Sequence, residues 1–218
     1  MKRILSIALV LVFAVSGIGY AQLTKEQIKE RKEHNKALRK EVNEKAMKAA
    51  RKEAKKLEKE GWKTPPGKLP IDKQLDKSYL LQADGEYIFG NASSIGGNYD
   101  AAKFQALELA KLNLVNNIQS ELVGITSNSI ANSQLDQEDA ASITRTISES
   151  KSRIEQKLGR IIPVMEIYRE INGKNREVSI TIAYSLDEAK AVAKQAVKEE
   201  LEQRGDELRD QLDQLLGW

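Results

Sequence analysis

Three carboxylates, Asp84, Glu86 and Asp100, stand close together ahead of the longest apolar-patterned stretch of the chain. Paired acids do general acid–base work when a buried cleft pushes their pKa values apart. Here each acid flanks a glycine or opens an element, where turn and capping roles use the same side chains. His34 is the one histidine and sits among charges between Glu33 and Asn35, as a surface residue does. A histidine-pair metal site is thereby excluded, and the serines and threonines between residues 127 and 152 have no triad partner. "DGEYIFGNASS" begins like a calcium loop but lacks the later ligands. "GNASSIGG", residues 90–97, precedes a helix start and has amides free to hold an anion. It lacks the lysine–serine pair of a phosphate loop and reads as a turn. With no cysteine, disulfide and thiolate chemistry is excluded. No catalytic, cofactor-binding or metal-ligating residue is therefore expected. What remains are aromatics: Tyr79, Tyr87 and Tyr99 near one loop, and Trp62, which reads first as a plug pressed against the domain and second as a binding aromatic.

The elements that must position these residues follow from patterning. Across 218 residues, 40% hydrophobic, 31% charged and 5% aromatic, one ordinary domain with extensions is expected. Residues 22–61 carry roughly six more basic than acidic side chains. They are rich in strong helix formers, and Thr24 with Gln27 resembles a capping box. Their apolar stripe is narrow and largely alanine, which suits a solvated arm lying along the domain or a helix paired with another, coiled-coil fashion. Residues 62–77 hold Pro65, Pro66 and Pro70 and read as an extended linker. "SYLLQADGEYIFGNAS" alternates and reads as one bent strand or a small hairpin broken at Asp84-Gly85.

From Asn98 or Asp100 as cap, a long helix follows, with Ala102, Ala106 and Ala110 in a strip narrow enough for a flat layer to approach. Its amides Asn113, Asn116, Asn117 and Gln119 suit capping of carbonyls or of sheet edges; lining a polar groove is the other reading. A more exposed helix is expected over residues 133–158 from Ile143, Ile147, Ile154 and Leu158. Two alternating runs, residues 161–171 and 177–184, flank a turn at Asn172-Gly173-Lys174-Asn175. The acidic residues 186–218 return to helix, with Asp187 at its start and a kink expected at Gly205.

The first 21 residues decide the expected compartment. Lys2 and Arg3 precede an apolar run over residues 4–15, and Gly19 and Ala21 occupy the −3 and −1 positions of a signal-peptidase site. Cleavage after Ala21 is expected; an uncleaved N-terminal anchor is the other reading, though the run is short for a span.

The stretch "YDAAKFQALELAKLNLVNNIQSEL" and the late pair of strands resemble the LPP20-like family of bacterial envelope proteins, related in layout to the N-terminal domain of a flagellar assembly protein. The resemblance covers residues 79–185. It implies an exported α+β protein in which a long helix packs on a small, curved antiparallel sheet of three to four strands. This chain departs from the lipoprotein members in lacking a lipid-attachment cysteine, so lipid tethering is not carried over.

The expected organisation is a signal peptide (1–21), a charged helical arm (22–61), a proline-rich linker (62–77), an α+β domain (78–185) and a C-terminal helix (186–218). The expected function is a non-enzymatic module of the periplasm or outer membrane, acting by protein contact or as a structural part. Its partners would be envelope proteins, a second copy of the chain or the membrane periphery; export and the lack of interleaved aromatics argue against nucleic acid. The alternative is a small-molecule or glycan binder that uses the groove between sheet and helix near the three tyrosines. A third reading, a hydrolase, needs Asp84 and Glu86 in a deep pocket.

Overall fold

The structure is a computed structural model that describes residues 44–131 and 137–204. By its contacts the chain divides at residue 40, and every described residue lies in the unit spanning 41–218. The expected signal peptide, His34 and the kink at Gly205 lie outside the described residues. In chain order the elements are α1 (residues 44–59), α2 (Ile71–Asp84), β1 (Tyr87–Gly96), α3 (Tyr99–Ala131), α4 (Gln137–Glu149), α5 (Lys151–Lys157), β2 (Ile162–Ile171), β3 (Asn175–Ser185) and α6 (Leu186–Arg204). The protein is α+β, with α3 packed against an open, three-stranded antiparallel sheet of order β1-β3-β2.

The sheet starts from its one hairpin. Asn172 and Gly173 both take positive φ, 51° and 73°, which asparagine and glycine tolerate and which matches the twist of the strands they join. Val178, Ile180, Ile182 and Tyr184, alternate residues of β3, are buried and face α3. β1 then pairs along the other side of β3, Tyr87 opposite Ser185 and Gly96 opposite Arg176.

α3 sits directly on β1. Ala102, Ala106 and Ala110, four residues apart, are fully buried, and β1 meets them with Gly90 and Gly96. A Cβ at Gly90 would overlap the Ala110 carbonyl and lie 2.7 Å from Leu114 Cβ; one at Gly96 would lie 2.7 Å from the Ala102 nitrogen. Asn98 caps the helix, its Oδ1 accepting from the Ala101 amide at 2.8 Å. Further along, Asn113 and Asn117 donate to the edge carbonyls of Asn91 and Phe89, each at 2.8 Å. The match is metric: four helical residues rise about 6 Å, and two strand residues about 6.7 Å. At 33 residues, α3 runs roughly 50 Å and overhangs the strand. There its buried residues change from alanine to Leu114, Ile118 and Leu122, which meet Ile143, Ile147, Ile154, Val197 and Leu201 of α4, α5 and α6. Gln119 closes the end of α4 by donating to the Ile147 carbonyl at 2.6 Å. The helix expected over 133–158 is interrupted at Ser150, whose hydroxyl turns back onto the Ile147 carbonyl at 2.8 Å.

The second face of the sheet departs from the sequence reading. Ile71 to Asp84 is a helix, where a linker followed by a strand was expected. Gly85, with φ 69°, is its left-handed C-cap, so a glycine suited to a hairpin turn here ends a helix. Residues 90–96, expected as a turn, are strand. α1 and α2 build a small cluster from Ala50, Ala54, Trp62, Ile71, Leu75 and Ile167. The outer edge of β2 is closed as well: Lys63 exchanges two backbone hydrogen bonds with Tyr168, at 2.7 and 2.9 Å, and Gln74 Oε1 accepts from the Glu166 amide at 2.7 Å.

Candidate functional site

α3 rests on β1 and β3 and leaves β2 beside it, so a cleft of about 320 Å³ opens between the helix and the strand. Lys103, Leu107 and Lys111, at intervals of four, line its helical wall on one face of α3. Ile161, Pro163, Ile180 and Ile182 make an apolar floor, and Lys68 with Glu166 closes one end. Met165 borders the cleft, but the bulge after Pro163 sets it opposite Thr181 and packs it on the α1–α2 cluster.

Glu166 organises that end. Its side chain is 10% exposed and faces two ammonium groups, Lys103 at 2.6 Å and Lys68 at 3.0 Å. The Tyr99 hydroxyl donates a further hydrogen bond to Oε1. Tyr99 is held in turn by an edge-on contact with Tyr168, ring centroids 5.4 Å apart, and by Lys103 at 5.7 Å from its ring centre. Burial alone would raise the Glu166 carboxyl, but hydrogen bonds from Lys103, Tyr99 and Lys68 outweigh it and hold the pKa below its ordinary 4.5. The Tyr99 phenol is shifted upward, first by burial and then by its bond to Glu166. A carboxylate locked as an anion and a phenol locked as a donor do not exchange protons near neutral pH. At the far wall, Lys111 pairs with Glu108 at 2.8 Å in a more exposed contact.

Of the aromatics singled out from the sequence, Tyr99 alone belongs to this arrangement. Tyr87 lies at the opposite end of β1, roughly 30 Å along the strand. Tyr79 is on the other face, half-buried against the α1–α2 cluster, and its hydroxyl donates to Glu53. Burial first, and Glu53 second, push its pKa up to about 12. Trp62, 8% exposed, is pressed into the same cluster with the Arg169 guanidinium 4.6 Å above its ring. The three tyrosines thus do not converge, because α2 is a helix and carries Tyr79 to the wrong side of the sheet. The carboxylates do not converge either: Asp84 and Glu86 are exposed at one end of β1 and Asp100 is exposed beyond the other.

Sequence reasoning missed Lys68, Lys103, Lys111 and Glu166. A signal was present in "IPVMEIYREI", where a glutamate occupies a position opposite Ile180 and so points to the buried face, which obliges it to find cations. Lys103 and Lys111 flank Leu107 on one helical stripe, a pattern that borders apolar ground with charge. Compared with family models, with curated proteins and with solved structures, this chain finds no match.

Proposed function

We propose that this chain is an exported, non-enzymatic module that acts by binding, and that the cleft between α3 and β2 is its binding site. The observation that carries the reading is the composition of the cleft: an apolar floor, a rim of ammonium groups, and one acid already committed to two of them. Such a site holds a ligand by burial and charge, with few polar groups to orient it. The export signal and the resemblance to LPP20-like envelope proteins, with its long helix on a small sheet, are part of the same reading. Small-molecule extracts of the cell envelope test it by thermal shift. The wild-type chain should show a saturable rise that Leu107→Asp abolishes while leaving the helical circular dichroism unchanged. An equal rise in both proteins, or none in either, removes the cleft from the function.

Protein contact is a second reading, favoured by α1. Residues 44–59 carry seven basic and three acidic side chains, and Ala50 and Ala54 point inward, which leaves the charge outside. An acidic envelope protein would suit that face. Capture from envelope extracts by the intact chain, compared with Lys48→Glu/Lys52→Glu/Lys55→Glu, decides it. Loss of a captured protein in the variant supports the contact; identical sets in both remove it.

A further inference from the structure

We infer that the cleft takes a monoanionic, single-chain amphiphile, with its carboxylate at Lys111 and its chain laid along Leu107 over the floor. The inference rests on the cleft being the binding site and adds the chemical class of the ligand.

Charge sets the head group. Three ammonium groups, Lys68, Lys103 and Lys111, line the cleft against one carboxylate, Glu166. Glu108 offsets one more from outside the lining. One positive charge is left over, which one carboxylate neutralises. Position follows from the pairs already made. Lys68 and Lys103 are engaged by a carboxylate that is 10% exposed, whereas Lys111 holds an exposed i,i+3 partner, a pair weak enough to be exchanged.

Shape sets the tail. The cleft has a volume of about 320 Å³ and runs about 12 Å along α3 from Lys103 to Lys111, room for one extended chain of medium length. Between them the walls are hydrocarbon: Leu107 on the helix, Ile180 and Ile182 on β3, and Pro163 on β2. A dianionic or strongly polar ligand would leave charge unmatched on that floor.

The experiment uses the full chain, labelled with nitrogen-15, and four probes below their micelle concentrations: decanoate, octanoate, decanol and decyltrimethylammonium. Decanoate should move the amide signals of Leu107, Lys111, Ile180 and Ile182. Octanoate should bind about 15-fold more weakly, from the loss of two methylenes. Lys111→Gln, at a half-buried position where glutamine keeps the helix propensity, should weaken decanoate at least threefold without weakening decanol. If decanol or the decyl cation moves the same amides as tightly as decanoate, the ligand class is overturned and the cleft remains a binding site. If no probe moves those amides, the cleft reading falls with it. A fifth arm adds vesicles of anionic lipid: shifts confined to α1, seen with these vesicles and with none of the four probes, overturn the inference in favour of a membrane surface.

Discussion

The two edge strands of the sheet receive helices in opposite ways. β1 meets α3 with Gly90, Ala92 and Gly96, so the helix backbone descends onto the strand and no space is left. β2 presents Pro163, Glu166 and Tyr168 on that face, and α3 stands off it, leaving the lysine-rimmed cleft. The same helix thus makes a dry seam on one side and an open trough on the other. Side-chain volume decides where a cleft can exist: the seam leaves no room for a ligand, and the trough opens where the small residues run out.

That contrast is broken most severely at Gly90. Gly90→Val places a Cβ against the Ala110 carbonyl, which is backbone and cannot swing aside. Chemical denaturation should show a loss of about 3 kcal/mol or more. Enlarging the trough side instead, with Leu107→Phe at the half-buried helical wall of the cleft, should cost under about 1.5 kcal/mol, as substitutions with room to repack do. Equal losses at the two positions would dissolve the distinction.

Glu166→Gln comes next. It removes the charge that Lys68 and Lys103 share, but both lysines are about two-fifths exposed and return to water, so the expected loss is about 1–2 kcal/mol. Its pH dependence sharpens the point. The folded carboxyl lies below its ordinary 4.5, so its stabilisation is present above that value and is lost as pH falls through the folded pKa. Acid titration of stability should therefore be steeper below pH 4.5 in the wild type than in Glu166→Gln. On the seam side, Asn113→Ala and Asn117→Ala each uncap one edge carbonyl of β1 and should cost about 0.5–1.5 kcal/mol apiece, read by urea midpoints. The smallest effect is expected at Tyr79→Phe, under about 1 kcal/mol at neutral pH. Because Tyr79 is raised to about 12, its contribution is intact below pH 10 and fades as pH rises through 12; the phenylalanine variant should lose that slope and keep its cleft unaltered.

Much of the seam was legible from residue order. The alanines at 102, 106 and 110 announce a close partner, Asn98 announces a cap, and Asn172-Gly173 announces the hairpin, because each is a local rule with few exceptions. The edge-capping use of Asn113 and Asn117 was readable as one of two alternatives. α2 was not. Tyr79 to Ala83 mimics alternation over a short span, and only Pro70 as a start, with Ile71, Leu75, Ser78 and Tyr79 at helical intervals, resolves it. The trough was illegible for a different reason. Lys68, Lys103 and Glu166 are far apart in sequence, and their meeting depends on β2 lying at the sheet margin, which no local pattern states. Trp62 behaves as the plug that its neighbourhood suggested, its ring covered by Arg169.

The two amides of α3 on one rim, and Lys63 with Gln74 on the other, carry a consequence for copies of this protein held at high concentration. Growth of a fibril proceeds by strands adding to a naked margin, and here both margins are already partly engaged by the chain's own groups. A strand from a second copy would first have to displace those groups before it could pair at either margin.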